Sequence, residues 1–472
     1  MDEEKRKVLT AQVVERLEYF YTHTREFRTN PSLDPTPIRE HIAQHPLLDG
    51  LPAEQALEIV FSGLEQYAVH TPHPRYFGLY NPRSSFAGIL ADWITATYNP
   101  QMAAWSHAPF AAEVENWVIS EIGQKFGFKT SEIDGVFSSG GAEANLTAIL
   151  CALNATYPDY ARTGLRGIDH MPLIFCSAEA HHSIHKAART AGLGSAAVIN
   201  IPVDQHLRMD IDQLEKALKN HTSETRRPMM LIATGGTTGQ GVIDPLDEVA
   251  QVAQAHGLWC HVDAAFGGGC ALSSTYAHLL HGIAQADSIT FDAHKWMSVP
   301  MGTSMLITRH KDILASTFRI QTDYMPKDAG ELTIHDPFAH SIQWSRRFNG
   351  LKVYLSLLMY GWKGFEQAIN HHMAMGHHLR EQLKKSGWKI MNPTQLPVVC
   401  FTHPAHEGDP TFTTKMLQYI LKLGKAWISV YPVNGQSTFR ACITNYNTQP
   451  EDIQVLIQQL NEALEQYASF SS

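Results

Sequence analysis

The apolar positions of this chain change their period twice, and each change marks a structural boundary. Between residues 4 and 27, Leu9, Val13, Leu17 and Phe20 or Tyr21 recur at helical spacing and predict an amphipathic helix. Pro31, Pro35 and Pro37 interrupt the pattern, and further helix is expected to about Tyr67. A unit this small gives such a face little to bury against, so segment 1–85 is expected to pack on another domain or a partner subunit. From about residue 86 to 350, helical segments alternate with short apolar runs at 135–138, 173–177, 197–201, 229–234, 258–263, 288–292 and 305–308. Continuous apolar runs belong to strands covered on both faces, which predicts an α/β unit built on a mostly parallel sheet. From Leu351 a long helix opens a smaller α+β unit, 351–472, with extended segments near 398–401 and 438–443. Its last helix is announced by Thr448-Gln449-Pro450-Glu451, a capping-box pattern, and carries a stripe of Ile453, Leu456, Ile457, Leu460 and Leu464.

Composition narrows the function classes. The 472 residues are 44% hydrophobic and 18% charged, as in a soluble globular protein of two or three structural units. A formal charge of -9 with dispersed Lys and Arg leaves no basic patch for nucleic acid. No run approaches the roughly 18 apolar residues of a membrane span, and the charged start Met1-Asp2-Glu3-Glu4-Lys5 does not resemble a signal peptide. Six scattered cysteines, mostly in apolar runs and without metal-like pairing, suit reduced core residues of a cytosolic protein. The paired histidines 371–372 and 377–378 are expected to be solvated, and no metal site is expected.

The chemistry gathers where strands end. Leu258-Trp259-Cys260-His261-Val262-Asp263 delivers an acid, and Ser288-Ile289-Thr290-Phe291-Asp292-Ala293-His294-Lys295 delivers a lysine. Ligands of parallel sheets bind beyond the C-terminal strand ends. There, a lysine joined to pyridoxal phosphate (PLP) needs a carboxylate partner for the ring nitrogen. Each residue alone has a commoner explanation: a solvated lysine, and an aspartate capping a helix. Ser138-Ser139-Gly140-Gly141-Ala142-Glu143-Ala144-Asn145 opens a helix whose N–H groups suit a phosphate, although such turns are often purely structural. In Ala180-His181-His182-Ser183, the imidazole of His181 has the shape to stack on a cofactor ring, or it caps a helix. Gly235-Gly236-Thr237-Thr238-Gly239 fits either a loop passing close to a cofactor or a plain turn.

Taken in order, SSGGAEAN, AHHSIHKA, GGTTG, HVDAAFGG and DAHKW resemble the group II PLP-dependent amino acid decarboxylases, over about residues 73–445. The resemblance implies a PLP-dependent transferase fold of type I, with a seven-stranded sheet flanked by helices. It implies a homodimer with its active site at the subunit interface, acting on a small-molecule substrate, an L-amino acid, to give an amine and CO2. By position, Lys295 would carry the cofactor, Asp263 would face the ring nitrogen, His181 would stack on the ring and Ala265 would pack on its opposite face. Gly141, Ala142 and His294 would serve the phosphate or place Lys295, and Thr238 would lie near the cofactor. Tyr80 and Arg440 would belong to the substrate pocket. Ala142 departs from the Ser or Thr of many relatives and removes one phosphate hydroxyl. The loop after Lys295 also departs, leaving Tyr324 or His335 as its proton donor. Phe338 leaves room for a second reading, an oxidative aldehyde synthase. The 98–105 segment is nearer to the glutamate and diaminobutyrate branch. Arg83 would favour an acidic substrate if it faced the pocket, but it is expected on the surface.

Overall fold

A computed structural model of the chain describes residues 1–31, 33–44, 49–320 and 334–471. Its contacts divide it into two compact units. One unit comprises Tyr80–Ala374 with Asn392–Val398. It holds seven strands: β1 (Asp134–Ser138), β2 (Met171–Ser177), β3 (Val198–Ile201), β4 (Arg226–Thr234), β5 (Trp259–Asp263), β6 (Ser288–Phe291) and β7 (Ser304–Thr308). They form one sheet in the order β1-β7-β6-β5-β4-β2-β3. The pairs β2–β3, β2–β4, β4–β5 and β5–β6 are parallel, while β7 runs antiparallel to both β6 and β1. All seven expected strands are present, with their ends moved by a few residues. Every residue of β5, β6 and β7 is buried, as the unbroken apolar runs require. Val136, Ile174, Met230, Ile232 and Leu306 of the sheet share a core with Ala148, Ile149 and Ala152 of the helix Gly141–Thr156 and with Ile184 and Ala188 of the helix Ser183–Thr190.

Register sets the site. Thr234 pairs with Asp263, and Asp263 pairs with Thr290, so the C-terminal ends of β4, β5 and β6 finish nearly level. The short helix Ala293–Trp296 then turns off β6 and carries Lys295.

The other unit comprises Met1–Leu79, Met375–Met391 and Val399–Ser472. The N-terminal segment, expected as a unit of its own, therefore clusters with the C-terminal residues. Phe77 belongs to the same buried core as Phe401, Phe412 and Phe439. Arg25 Nη1 is 2.5 Å from Asp452 Oδ1, and Asn445 Nδ2 donates to the Pro72 carbonyl at 2.9 Å. A four-stranded sheet contains β8 (Lys389–Ile390), β9 (Val398–Thr402), β10 (Ser429–Val433) and β11 (Gln436–Cys442), ordered β10-β11-β9-β8. The last helix, Pro450–Ser471, buries Ile453, Leu456, Ile457 and Leu460 as expected. Its cap differs from the expected box. Asp452 Oδ2 accepts from the Gln449 N–H at 2.9 Å, while the Thr448 hydroxyl donates to the Pro74 carbonyl at 2.7 Å.

Candidate active site

Asp263 ends β5 almost fully buried, and its carboxylate is held by named donors. Asn145 Nδ2 donates to Oδ2 at 2.9 Å, and the Ala265 N–H donates to Oδ1 at 3.2 Å. Asn145 comes from the first turns of the helix Gly141–Thr156, where its amide meets β5, β6 and the start of the helix Ser183–Thr190. It also donates to Ser183 Oγ at 3.0 Å, and its Oδ1 accepts from Thr290 Oγ1 at 2.8 Å and from His261 Nε2 at 3.0 Å.

One strand over, Lys295 Nζ lies 3.0 Å from Asp292 Oδ2. Burial alone would raise the pKa of Asp292. The charges of Lys295 and His294 and a 2.5 Å hydrogen bond from Ser304 Oγ outweigh it and hold the carboxyl below its ordinary value. His294 is buried beside it, with Nε2 3.6 Å from Asp292 Oδ2 and Nδ1 2.8 Å from the Thr303 carbonyl. Gly141 begins its helix directly against this group. A Cβ there would sit 3.1 Å from Asp292 Oδ2 and 3.5 Å from the Cβ of Ala265, so the absent side chain leaves the helix N-terminus open.

His181 precedes the helix Ser183–Thr190 and accepts from the Ser183 N–H at Nδ1, 3.2 Å away. Its ring keeps an open side to solvent, yet surrounding protein desolvates it enough to lower its pKa. Asp263 opposes that shift and Lys295 adds to it, so all three groups feel one another's charge. Tyr80 stacks obliquely on Phe266 with ring centroids 4.0 Å apart, and the Lys295 ammonium is 5.6 Å from the Tyr80 ring. The Tyr80 hydroxyl donates to the Thr238 carbonyl at 2.9 Å. The loop that presents Thr238 is fixed beneath by buried Asp244, which accepts the Thr234 and Met209 N–H groups, each at 2.8 Å. In that loop Gly236 has φ of +104° and passes against Gly267, a conformation and an approach that suit only glycine.

Lys295, Asp263, His181, Ala265, Gly141, His294, Thr238 and Tyr80 are thus assembled within one unit, and Ala142 is exposed in the first turn of the same helix as Gly141. Arg440 belongs to the other unit, buried in β11, where Nη1 donates to the Gly78 carbonyl at 3.0 Å. His335 is not brought to Lys295 within this chain. It lies beside His340, ring centroids 5.1 Å apart, and near Asp134 at the start of β1. Through β7, that end of β1 is level with Ser288 and hence with His261, two residues before Asp263. Tyr324 lies outside the described residues. Phe338 packs on Trp344 with centroids 4.7 Å apart. Arg83, expected on the surface, is 6% exposed, which reverses that expectation. Asn145, His261 and Asp292 were missed as site residues. The signals were a histidine inside an otherwise apolar strand run and an aspartate that ends the run before Lys295.

Residues 52–403 match the pyridoxal-dependent decarboxylase conserved domain, three quarters of the chain. The chain belongs to the pyridoxal-dependent decarboxylase family. This decarboxylase is 27% identical to an aromatic-L-amino-acid decarboxylase of Bacillus atrophaeus, over 98% of the chain and 96% of that relative. It is 31% identical to an acidic amino acid decarboxylase of Mus musculus, over 84% of the chain and 74% of that relative. The crystal structure of mouse CSAD superposes with a TM-score of 0.91 at 28% identity, covering 98% of this chain and 99% of that one. The decarboxylase therefore has the type I fold and the PLP-dependent amino acid decarboxylation of its family. The residues present fit that cofactor. They supply an amine, a buried carboxylate, an imidazole and a helix start whose glycine leaves room for a phosphate.

Proposed function

We propose that the decarboxylase removes CO2 from an L-amino acid with an acidic side chain, working as a homodimer in the cytosol. The observation that carries the substrate class is buried Arg83. It stands three residues after Tyr80, whose ring lies 5.6 Å from the Lys295 ammonium. Turned toward the pocket, its guanidinium would suit carboxylate or sulfinate geometry. The 31% identity to an enzyme named for acidic substrates supports the same class.

Bound PLP supplies an electron-accepting ring for the pair released when the bond to the carboxylate breaks. Lys295 would hold the cofactor's aldehyde carbon, and Asp263 would keep a proton on its ring nitrogen. His181, held neutral by its lowered pKa, would stack on the ring without adding charge, while Ala265 leaves space on the other face. Gly141 and Ala142 would offer N–H groups to the phosphate, aided by the helix dipole, with His294 placing Lys295. Thr238 would line the cofactor and orient Tyr80 toward substrate.

Exposed apolar surface supports the dimer. The helix Phe86–Tyr98 leaves Phe86, Trp93, Ile94 and Tyr98 at 42–82% exposure, and the nearby helix Pro109–Lys125 leaves Phe110 and Trp117 exposed. Side chains of this size in such density are what a subunit interface covers. In the other unit, the helix Ala53–Tyr67 buries none of its residues and exposes Val60 and Leu64, as expected of a segment meeting a partner. All six cysteines are buried as thiols, in keeping with a reducing compartment.

Purified protein with PLP should be incubated with aspartate, glutamate, cysteine sulfinate, 2,4-diaminobutyrate, DOPA and the remaining standard amino acids. CO2, amine, oxygen and peroxide are followed together. Amine and CO2 from an acidic substrate, without oxygen uptake, are expected. Preference for an aromatic or basic substrate would overturn the substrate class, and peroxide release would favour the aldehyde-synthase reading.

A further inference from the structure

A polar chain runs beneath Asp263 through the middle of an apolar sheet, and its direction is fixed at both ends. Trp259 Nε1 donates to Ser288 Oγ at 2.9 Å, and an indole N–H can only donate. The Ser288 oxygen also lies 2.8 Å from His261 Nδ1, and His261 Nε2 lies 3.0 Å from Asn145 Oδ1. Asn145 Nδ2 reaches Asp263 Oδ2 at 2.9 Å, and a carboxylate can only accept. One assignment satisfies every member. The indole donates to Ser288, Ser288 donates to Nδ1 of His261, Nε2–H of His261 donates to Asn145, and Asn145 donates to Asp263. Turning the Asn145 amide over would set its oxygen against the carboxylate and face its NH2 toward Thr290 and His261. The two side donors agree with the assignment, since Thr290 Oγ1 donates to Asn145 Oδ1 at 2.8 Å and Asn145 donates its second hydrogen to Ser183 Oγ at 3.0 Å. His261 is fully buried, and desolvation pushes its pKa down to about 4, so it stays neutral at neutral pH.

We propose that His261 and Asn145 are positioning residues that keep Asp263 an ionised acceptor aimed at the cofactor ring nitrogen. Every contact from below donates to Asp263, so this charge is stabilised without a proton being delivered to it. The proton paired with that charge then resides on the ring nitrogen above. The inference rests on the assignment of Asp263 to that nitrogen, and its test separates the two.

The readout is the 15N chemical shift of PLP labelled at the ring nitrogen, recorded in the holoenzyme. A protonated nitrogen is expected in the native protein. His261→Leu removes the donor to Asn145 and is expected to move the shift toward the unprotonated value, with kcat falling roughly 10- to 100-fold and KM little changed. His261→Gln, whose amide can both donate to Asn145 and accept from Ser288, should recover most of both. With a cofactor whose ring nitrogen is replaced by carbon, the native protein and His261→Leu should turn over at equal rates. Should His261→Leu fail to fold, Ser288→Ala removes the hydroxyl that sets the histidine tautomer and should shift the signal in the same direction. A fully protonated nitrogen in the folded variants overturns the proposal. The Asp263→Ala arm then tells which idea fails. If it deprotonates the ring alone, only the relay is wrong; if the nitrogen stays protonated there too, the Asp263 assignment fails with it.

Discussion

Lys295 Nζ lies 3.0 Å from Asp292 Oδ2, so a carboxylate from its own turn holds the lysine assigned to the cofactor. The same carboxylate stands 3.1 Å from where a Gly141 Cβ would project, at the helix start proposed for the phosphate. A phosphate dianion arriving there meets a negative charge, and Lys295 must leave its ion pair. Asp292→Asn should relieve both and lower the Kd for PLP by about tenfold, or about 1.4 kcal/mol. Titrating the cofactor-free protein with PLP and following tryptophan fluorescence measures this. Weaker binding by the variant would mean that Asp292 supports the cofactor instead of opposing it.

Lys295→Ala should abolish the visible absorbance of the lysine-linked cofactor together with turnover. The variant should still take up PLP noncovalently, because the phosphate and ring contacts proposed for Gly141, His181 and Asp263 do not involve the amine. Spectra of the dialysed protein and a CO2 assay make the comparison. A variant that keeps the lysine-linked band would sink the assignment.

Most of this site was legible because its parts sit where a strand changes abruptly into polar residues. Asp263 and Lys295 each end an apolar run, and a sheet buried on both faces makes such runs unbroken. Asn145 was not legible in the same way. Its importance comes from the register of β5 against β6, which brings His261, Thr290 and Asp263 around one amide. The place of His335 beside His340 and Asp134 comes from packing between residues distant in sequence, which local sequence does not encode. Arg83 misled because lysine and arginine are ordinarily solvated, and only its 6% exposure reveals the exception.

Arg83→Met keeps most of the buried volume and removes the charge. It should raise KM for the acidic substrate at least about 100-fold, the scale of losing one charge-assisted hydrogen-bonded pair. Turnover of a neutral amino acid, however slow, should be unaffected or improved. Steady-state kinetics on both substrates decides it. Equal losses on both would assign Arg83 to structure instead of specificity.

His372 is fully buried, and neither ring nitrogen has a hydrogen-bond partner among the described residues. Desolvation, with a smaller contribution from His371, pushes its pKa down to about 3. An unfolded histidine titrates near 6.5, so as pH falls the unfolded chain binds the proton first. Stability is therefore lost from about pH 6.5 downward, and by pH 5 this group alone accounts for about 2 kcal/mol. His372→Leu removes the titration at similar volume. Its advantage in chemical denaturation over the native protein should be larger at pH 5 than at pH 7.5 by that amount. An advantage independent of pH would mean that His372 does not titrate this way.

Within its own chain, His335 sits beside His340 and near Asp134 at the start of β1. The resemblance leaves Tyr324 or His335 as the proton donor of a site shared between two copies of the chain. This gives a complementation test. Lys295→Ala and Tyr324→Phe proteins, each nearly inactive alone, are mixed, dissociated and reassociated. If the donor crosses between subunits, each mixed dimer carries one site with a native lysine and a native loop. Random pairing then restores about a quarter of native activity, since half the dimers are mixed and half their sites are intact. The same mixture made with His335→Asn in place of Tyr324→Phe identifies the donor, because only the variant that removes it is inactive alone and rescued on mixing. If the variant inactive alone gains nothing on mixing, the donor acts within its own subunit and the shared site is wrong.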